Sequence, residues 1–191
     1  MVNLSTEGTS DWVHWGLTSK TDVNRKAASG NISDITFVGN ATDEWLAALP
    51  PLDHLQGIEL TDTVVTGAGL QHLKKFPNLQ QLALSSRTLG DDGLHVLQRL
   101  PKLTRLTLHT RVTDEGLRHL KHVPQLTYLS LSSPLVKGVG LVHIGKLSKL
   151  VELQFMGESV TDQWMRNIEP LRNVCWLELH RTRVTDDGLN A

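Results

Sequence analysis

The sequence predicts an α/β solenoid in which a curved parallel sheet forms the inner surface and short helices form the outer surface. Three observations predict this fold. A pentad like Thr-Asp-Glu-Gly-Leu at residues 113–117 recurs every 23 or 24 residues, fixed positions of every copy are apolar, and their spacing changes within each copy from three residues to two. A constant period of this length is typical of stacked repeats.

The repeats begin at residues 42, 66, 90, 113, 137, 161 and 185. This gives six full leucine-rich copies over residues 42–184 and a truncated seventh copy over residues 185–191. We number each repeat from 0 at its first residue. Positions 4, 7, 10, 13, 16 and 18 are then apolar in all six full copies, and 28 of these 36 residues are leucine. One copy is too small to bury these side chains alone, so neighbouring copies must share their apolar faces.

The first half of each copy is predicted to be a short helix. Positions 4, 7 and 10 lie three residues apart, which suits one buried face of a helix. Thr113, Asp114 and Glu115 illustrate the hydroxyl and acidic residues that precede this segment and favour a helix start. Proline follows the segment in three copies and predicts the helix end, because proline lacks an amide hydrogen. These prolines are Pro77, Pro101 and Pro124.

The second half of each copy is predicted to be a short strand. Positions 16 and 18 lie two residues apart, as expected for a strand with one buried face. The segment Ile32–Val38 has a similar alternating pattern and is interpreted as a first strand that leads into the stack. Positions 15, 17 and 19 of every strand should therefore point away from the core and form three rows across the inner surface.

The repeat pattern resembles the leucine-rich repeat family. The match is Leu-x-x-Leu-x-Leu in each copy, for instance at Leu126, Leu129 and Leu131, and it covers about three quarters of the chain. The variant Val-Thr-Asp-x-Gly-Leu at residues 112–117 and 184–189 resembles the cysteine-containing subtype and its bacterial relatives. The Asn or Cys that usually follows the strand is mostly Thr, Ser or Arg here, as at Thr110 and Thr182, so a differently built hydrogen-bond ladder is expected.

Composition narrows the classes of function. The formal net charge is −1, so the overall charge that most nucleic-acid binders need is missing, and a nucleic-acid partner is not expected. One cysteine excludes an internal disulfide framework. No apolar run reaches 18 residues and no signal peptide is visible, so neither a membrane span nor a membrane partner is expected and the default localisation is cytoplasmic.

The two ends of the chain differ from the repeats. Residues 1–41 are expected to cap the first repeat. The segment Asp-Trp-Val-His-Trp-Gly at residues 11–16 also resembles the opening of some β-sandwich modules of bacterial secreted proteins, and Trp12 and Trp15 offer an alternative carbohydrate site. At the other end the strand at residues 174–180 is predicted to be an open edge. The chain is therefore expected either to be a fragment or to associate with a partner, including a second copy, through this edge.

The three rows on the inner surface contain the candidate partner-binding residues. The middle row is small at Ala83, Thr107 and Ser130, which predicts a shallow trough between larger side chains. Tyr, Trp, Arg and Met are the residue types that anchor protein interfaces, and an Arg105–Tyr128 cation–π pair is expected. An ordinary solvated sheet face is the alternative interpretation. The predicted contact set is Arg105, His109, Tyr128, Glu152, Met156, Trp176 and His180.

Other chemistry receives little support from the sequence. His72, His119 and His143 recur at one repeat position, which repeat ancestry explains better than a metal site. Cys175 has no predicted base beside it, and Glu152 and Glu178 lack the deep pocket that a catalytic carboxylate pair needs. No phosphate-binding glycine motif occurs. The sequence thus predicts no catalytic residue, no metal and no cofactor.

These observations favour a non-catalytic module that binds a protein or peptide on the concave sheet face. The resemblance implies adaptor-like roles, although no F-box is recognisable in residues 1–41. The alternative is a structural or assembly fragment of a larger, possibly secreted, bacterial repeat protein.

Overall fold

The fold is a single sheet flanked by short helices. A computed structural model describes residues 32–190 in full and the backbone of residues 2–6 and 13–15. The strands run in the order β2-β1-β3-β4-β5-β6-β7-β8-β9, with β3 to β9 parallel and β1 antiparallel to both β2 and β3. Their bounds are β1 Val2–Thr6, β2 Val13–Trp15, β3 Ile32–Val38, β4 Gly57–Thr61, β5 Gln81–Ser85, β6 Arg105–His109, β7 Tyr128–Ser132, β8 Glu152–Met156 and β9 Trp176–His180.

Each full repeat places a helical segment before its strand, but half of the helical segments are 3-10 helices. The α-helices are Asp43–Ala48, Gly67–Leu70, Asp162–Ile168 and Asp186–Leu189, and the 3-10 helices are Gln71–Lys75, Asp91–Arg99, Gly116–His122 and Val139–Lys146. Apolar residues at intervals of three suit the three residues per turn of a 3-10 helix, because residues i and i+3 then project in the same direction. Three of the 3-10 helices end two residues before Pro77, Pro101 and Pro124.

The core follows the predicted apolar spine. In the first five repeats every one of the six repeating apolar positions is buried, including Leu106 and Leu108. In the sixth repeat Met165 is buried, whereas Leu177 is 39% exposed. The parallel register and this continuous core confirm the predicted α/β leucine-rich-repeat solenoid. Within the described residues no helix is both long and apolar enough to cross a membrane.

Aspartate and threonine residues join consecutive repeats. The Asp at position 1 of one repeat accepts hydrogen bonds from the backbone N–H and the hydroxyl of the Thr that opens the next repeat. In the Asp91–Thr113 pair, Thr113 N lies 2.7 Å from Oδ1 and Thr113 Oγ1 lies 2.6 Å from Oδ2. The equivalent two bonds from Thr185 hold the pKa of the Asp162 carboxyl below its usual range. We call these pairs the Asp–Thr clamps; they are Asp43–Thr66, Asp91–Thr113 and Asp162–Thr185.

Glycine at position 3 makes room for these clamps. A Cβ on Gly116 would lie 2.7 Å from Cγ of Asp91, and a Cβ on Gly188 would lie 2.7 Å from Cγ of Asp162. Contacts between repeats therefore explain the Thr-Asp-x-Gly motif. The chemistry of a helix start alone does not explain why glycine occupies position 3.

The ladder after the strands is built from hydroxyl groups. Ser86 Oγ donates to the carbonyl of Thr63 at 3.3 Å, and Ser133 Oγ donates to the carbonyl of Val112 at 2.6 Å. Within the described residues the buried Thr110 hydroxyl has no hydrogen-bond partner. The ladder thus consists of hydrogen bonds from side chains to the backbone, and it is incomplete. This agrees with the replacement of the family's Asn or Cys after the strand by other residues.

Candidate functional site

The parallel register aligns the first and second predicted rows along their whole length, whereas the third row has no ladder pair between Ser132 and Met156. Along the first row each residue is the ladder partner of the next, so the predicted neighbours are true neighbours. This row consists of Gly57, Gln81, Arg105, Tyr128, Glu152 and Trp176. The second row consists of Glu59, Ala83, Thr107, Ser130, Gln154 and Glu178.

Arg105, Tyr128 and Glu152 form a compact cluster on three adjacent strands. Cζ of Arg105 lies 4.1 Å from the centroid of the Tyr128 ring, which is a cation–π contact. Nη1 of Arg105 lies 3.8 Å from a carboxylate oxygen of Glu152. The Arg105 and Glu152 side chains are 41% and 46% exposed, so solvent screens their ion pair and it contributes little to stability. The cluster fixes the guanidinium and the ring in place while both stay accessible.

A chain of hydrogen bonds crosses four strands of the inner surface. Ser130 Oγ donates to Oε1 of Gln154 at 2.6 Å, so at 3.1 Å it accepts from the Nε2–H of His109. Nε2 of Gln154 then donates to Glu178 at 2.9 Å, and the ring of His180 bonds the same carboxylate. Burial lowers the pKa of His109. These hydrogen bonds orient the rings of His109 and His180, two members of the predicted contact set.

The trough lies nearer the first strands than the sequence predicted. It encloses about 220 Å3 above β3 to β7. Its floor is formed by small residues, including Gly57, Ala83 and Thr107, and Arg105 and Tyr128 lie at one end. The other members of the predicted contact set do not line it: His109, Glu152, Met156, Trp176 and His180. The shift arises because the floor stays open at Ala83 and Thr107, whereas the side chain of Asp34 from β3 fills the space above Gly57.

Two acidic residues at the trough were not in the predicted set. Asp34 and Glu59 line it at the end away from Tyr128. Asp34 is the ladder partner of Gly57, so extending the first row backward into the predicted strand Ile32–Val38 would have found it. Glu59 was in the predicted second row, but the contact set favoured larger side chains.

The remaining predicted residues lie apart from the cluster. Half-buried Met156 lines a separate groove of about 420 Å3 at the ends of the last strands, together with Ser132, Pro134 and Arg183. Trp176 is 64% exposed on β9. Trp12 lies outside the described residues and Trp15 is described only by its backbone, so the carbohydrate alternative is not addressed by the structure.

The groups considered for catalysis or metal binding do not converge in the described part of the chain. No group of three His, Cys, Asp or Glu residues there is arranged to hold a metal ion. Cys175 is exposed, and its thiol contacts the carbonyl of Asn173. The hydroxyl of Ser130 belongs to a fully buried residue and donates to Gln154, so it is not oriented to give its proton to His109.

Three histidines meet on the outer surface. The ring centroids of His95 and His119 lie 4.2 Å apart, and those of His119 and His122 lie 6.3 Å apart. His119 is buried, and its pKa is lowered first by that burial and then by the nearby charges of His95, Arg118, His122 and Lys121.

We expect His119→Val to reduce the loss of stability in acid. Because the pKa of His119 is lowered in the folded state, neutral His119 makes its full contribution to the free energy of unfolding above about pH 6.5, the pKa of histidine in the unfolded chain. This contribution is lost as the pH falls through the folded pKa, since the unfolded chain then binds the proton more readily. Urea unfolding between about pH 7 and 5 measures this. His143→Val, at the same repeat position but half-buried, is the control for replacing a histidine on the outer surface; equal pH profiles for wild type and His119→Val would contradict the assignment.

Comparisons with known proteins give the following. No protein-family model and no curated protein matches the chain. Among solved structures, an internalin from Listeria monocytogenes is similar with a TM-score of 0.47 and 15% identity, over 94% of this chain and 67% of that one. The leucine-rich-repeat ectodomain of the Arabidopsis receptor kinase HAESA, in complex with a peptide hormone, is similar with a TM-score of 0.41 and 14% identity. That match covers 78% of this chain and 29% of the HAESA chain.

Proposed function

We propose that the chain is a non-catalytic recognition module that binds an extended protein or peptide segment on the concave face of the sheet. The observation that carries this proposal is the Arg105–Tyr128–Glu152 cluster beside the open trough. An aromatic ring, a cation and an anion are held within contact distance of one another and left accessible. Such groups anchor interfaces because they bury a large area at low entropic cost.

The shape of the trough suits a polypeptide backbone. Small residues on its floor, Ala83 and Thr107, allow a main chain to approach the sheet closely. Arg105 offers donors at one end and Glu59 offers acceptors toward the other. The proposed contact set is Arg105, His109, Tyr128, Glu152, Met156, Trp176 and His180, extended by Asp34 and Glu59.

The double variant Arg105→Ala/Tyr128→Ala tests the concave face. Peptides selected from a random display library on the immobilised wild-type protein serve as ligands. The variant should bind them at least about tenfold more weakly, as expected when interface anchors are truncated. Its urea unfolding midpoint should barely change, because half-exposed side chains contribute little to stability.

Arg87→Ala/Arg111→Ala is the matched control, since both arginines are exposed and outside the trough. It should bind like wild type. Unchanged affinity of the Arg105/Tyr128 variant, or a failure of the wild-type protein to select any peptide, would refute the proposal.

A second candidate function is assembly through the face of the last repeat. Leu177 and Leu189 are 39% and 58% exposed there, and they line an apolar groove with Ile168, Leu171 and Val174. Contiguous exposed apolar residues mark interaction sites. We expect concentration-dependent self-association in sedimentation experiments and its loss in Leu177→Glu. A monomer of 21.2 kDa at all concentrations would count against this function.

We also propose the domain organisation inferred from the sequence, with residues 1–41 as a cap, six repeats over residues 42–184 and a truncated seventh over residues 185–191. The pairing of β1 and β3 on the first side of the repeat sheet supports the cap.

A further inference from the structure

Positive charge is concentrated on the outer side of four consecutive repeats. Residues 70–80, 94–104, 117–127 and 141–151 contain no Asp or Glu, although the chain has 20 acidic residues. The same segments contain two Lys or Arg residues each. The net charge of −1 hides this segregation, because the carboxylates lie at the helix starts, on the inner surface and toward the ends of the chain.

Most of these cations have no acidic partner among the described residues. Lys75 is half-buried and donates to the carbonyls of three residues of the first repeat, and Arg118 pairs with Glu115. The other six are exposed, and none forms an ion pair within residues 32–190. We call these six the basic edge: Lys74, Arg99, Lys102, Lys121, Lys146 and Lys149.

The basic edge follows the axis of the solenoid. Its members lie in the last helical turn of a repeat or in the loop before the next strand, and they precede β5, β6, β7 and β8 in turn. Those strands pair in parallel register, so the members of the edge follow one another from repeat to repeat, at repeat positions 8, 9 and 12. Neighbouring repeats lie about 4.8 Å apart at the strands and up to about 10 Å apart at helices. The edge is thus a line of charge roughly 15–30 Å long.

Helix dipoles do not fully account for this line. Cations are favoured in the last helical turn, which suits Lys74, Arg99, Lys121 and Lys146. Lys102 and Lys149 lie three residues beyond the helices that end at Arg99 and Lys146, outside the range of that effect. Like charges that lie along one edge repel one another and lower the stability of the folded state. An anionic partner would remove this repulsion.

We propose that the basic edge binds an extended acidic segment of a partner protein, at a surface separate from the concave trough. An extended chain rises about 3.3 Å per residue, so carboxylates at alternate positions lie about 6.6 Å apart on one side. This spacing falls within the repeat spacing across the edge. The only Phe, Tyr or Trp in the four segments is buried Phe76, so no such ring is available there to stack on the bases of a single-stranded nucleic acid.

The test uses a fluorescein-labelled peptide of about twelve residues with glutamate at alternate positions, and fluorescence anisotropy measures its binding. The wild-type protein should bind it, with affinity that falls as salt is added. The variant Lys102→Gln/Lys121→Gln/Lys149→Gln should bind at least about tenfold more weakly.

The matched control, Arg87→Gln/Arg111→Gln/Lys137→Gln, removes the same charge from exposed positions outside the basic edge and should bind within about twofold of wild type. Circular dichroism confirms that both variants fold. Absent wild-type binding, or an equal loss in both variants, would overturn the proposal. So would tighter binding of a single-stranded oligonucleotide or of anionic phospholipid vesicles than of the peptide, with the same dependence on the three lysines.

Discussion

Replacing Gly140 with alanine is expected to lower the free energy of unfolding by about 3 kcal/mol. A Cβ at this position would lie 2.6 Å from Cα of Asp114 and 2.8 Å from its carbonyl carbon. These are backbone atoms of the preceding repeat, so no rotamer change relieves the collision. The amide of Gly140 also donates to Oδ1 of Asp114 at 2.7 Å, and separating the two repeats would break this bond. Urea denaturation followed by circular dichroism measures the loss.

Gly90→Ala is the control for this prediction. The nearest atom to a Cβ on Gly90 is Oδ1 of Asp92 at 3.6 Å, an ordinary contact. Its backbone angles, φ −111° and ψ −159°, suit any residue. This variant should lose less than about 1 kcal/mol, because Gly90 is a helix N-cap, where alanine is less favourable than glycine, and the added Cβ meets no collision. A Gly140→Ala protein with wild-type stability would show that the repeats are not packed as described.

Replacing Asp91 with alanine should also cost about 3 kcal/mol. Its carboxylate accepts from the backbone N–H and the hydroxyl of Thr113, so both donors lose a charged acceptor. Because Asp91 and Thr113 open consecutive repeats, the variant weakens the junction between them rather than one repeat alone. The unfolding midpoint in urea should fall accordingly.

Asp92→Ala removes the same charge from the neighbouring residue. Asp92 is exposed and makes no side-chain hydrogen bond to residues 32–190. We expect a change below about 0.5 kcal/mol, as for most surface substitutions. If the two variants were equally stable, the Asp–Thr clamps would not contribute to the folded state.

The strands could be predicted because their signal is repeated. Leu106 and Leu108 alternate with polar residues in a pattern that recurs in every copy. The first strand, Ile32–Val38, has its predicted bounds, whereas the last strand begins at Trp176, two residues later than predicted. The helical type was not specified, because a spacing of three fits one turn of either helix and the choice depends on packing. The Asp–Thr clamps were missed because Asp91 and Thr113 are 22 residues apart, and only the stacking of repeats brings them together.

The candidate site could be predicted in part. The Arg105–Tyr128 contact followed from equal positions on adjacent strands, since parallel register places such residues side by side. The position of the trough did not follow, because it depends on which of the small floor residues the side chain of Asp34 covers. Met156 and Trp176 have the chemistry of interface residues, but side-chain type alone does not locate the concavity.

NMR chemical-shift mapping with a selected peptide is the direct test of whether a ligand binds on the concave face of the sheet. In an isotope-labelled sample the largest shifts should occur at backbone amides of β3 to β7 and at the side chains of Arg105 and Gln81. Arg105→Ala/Tyr128→Ala should abolish these shifts. Large shifts confined to the outer helices, with the inner strands unchanged, would contradict binding on the concave face.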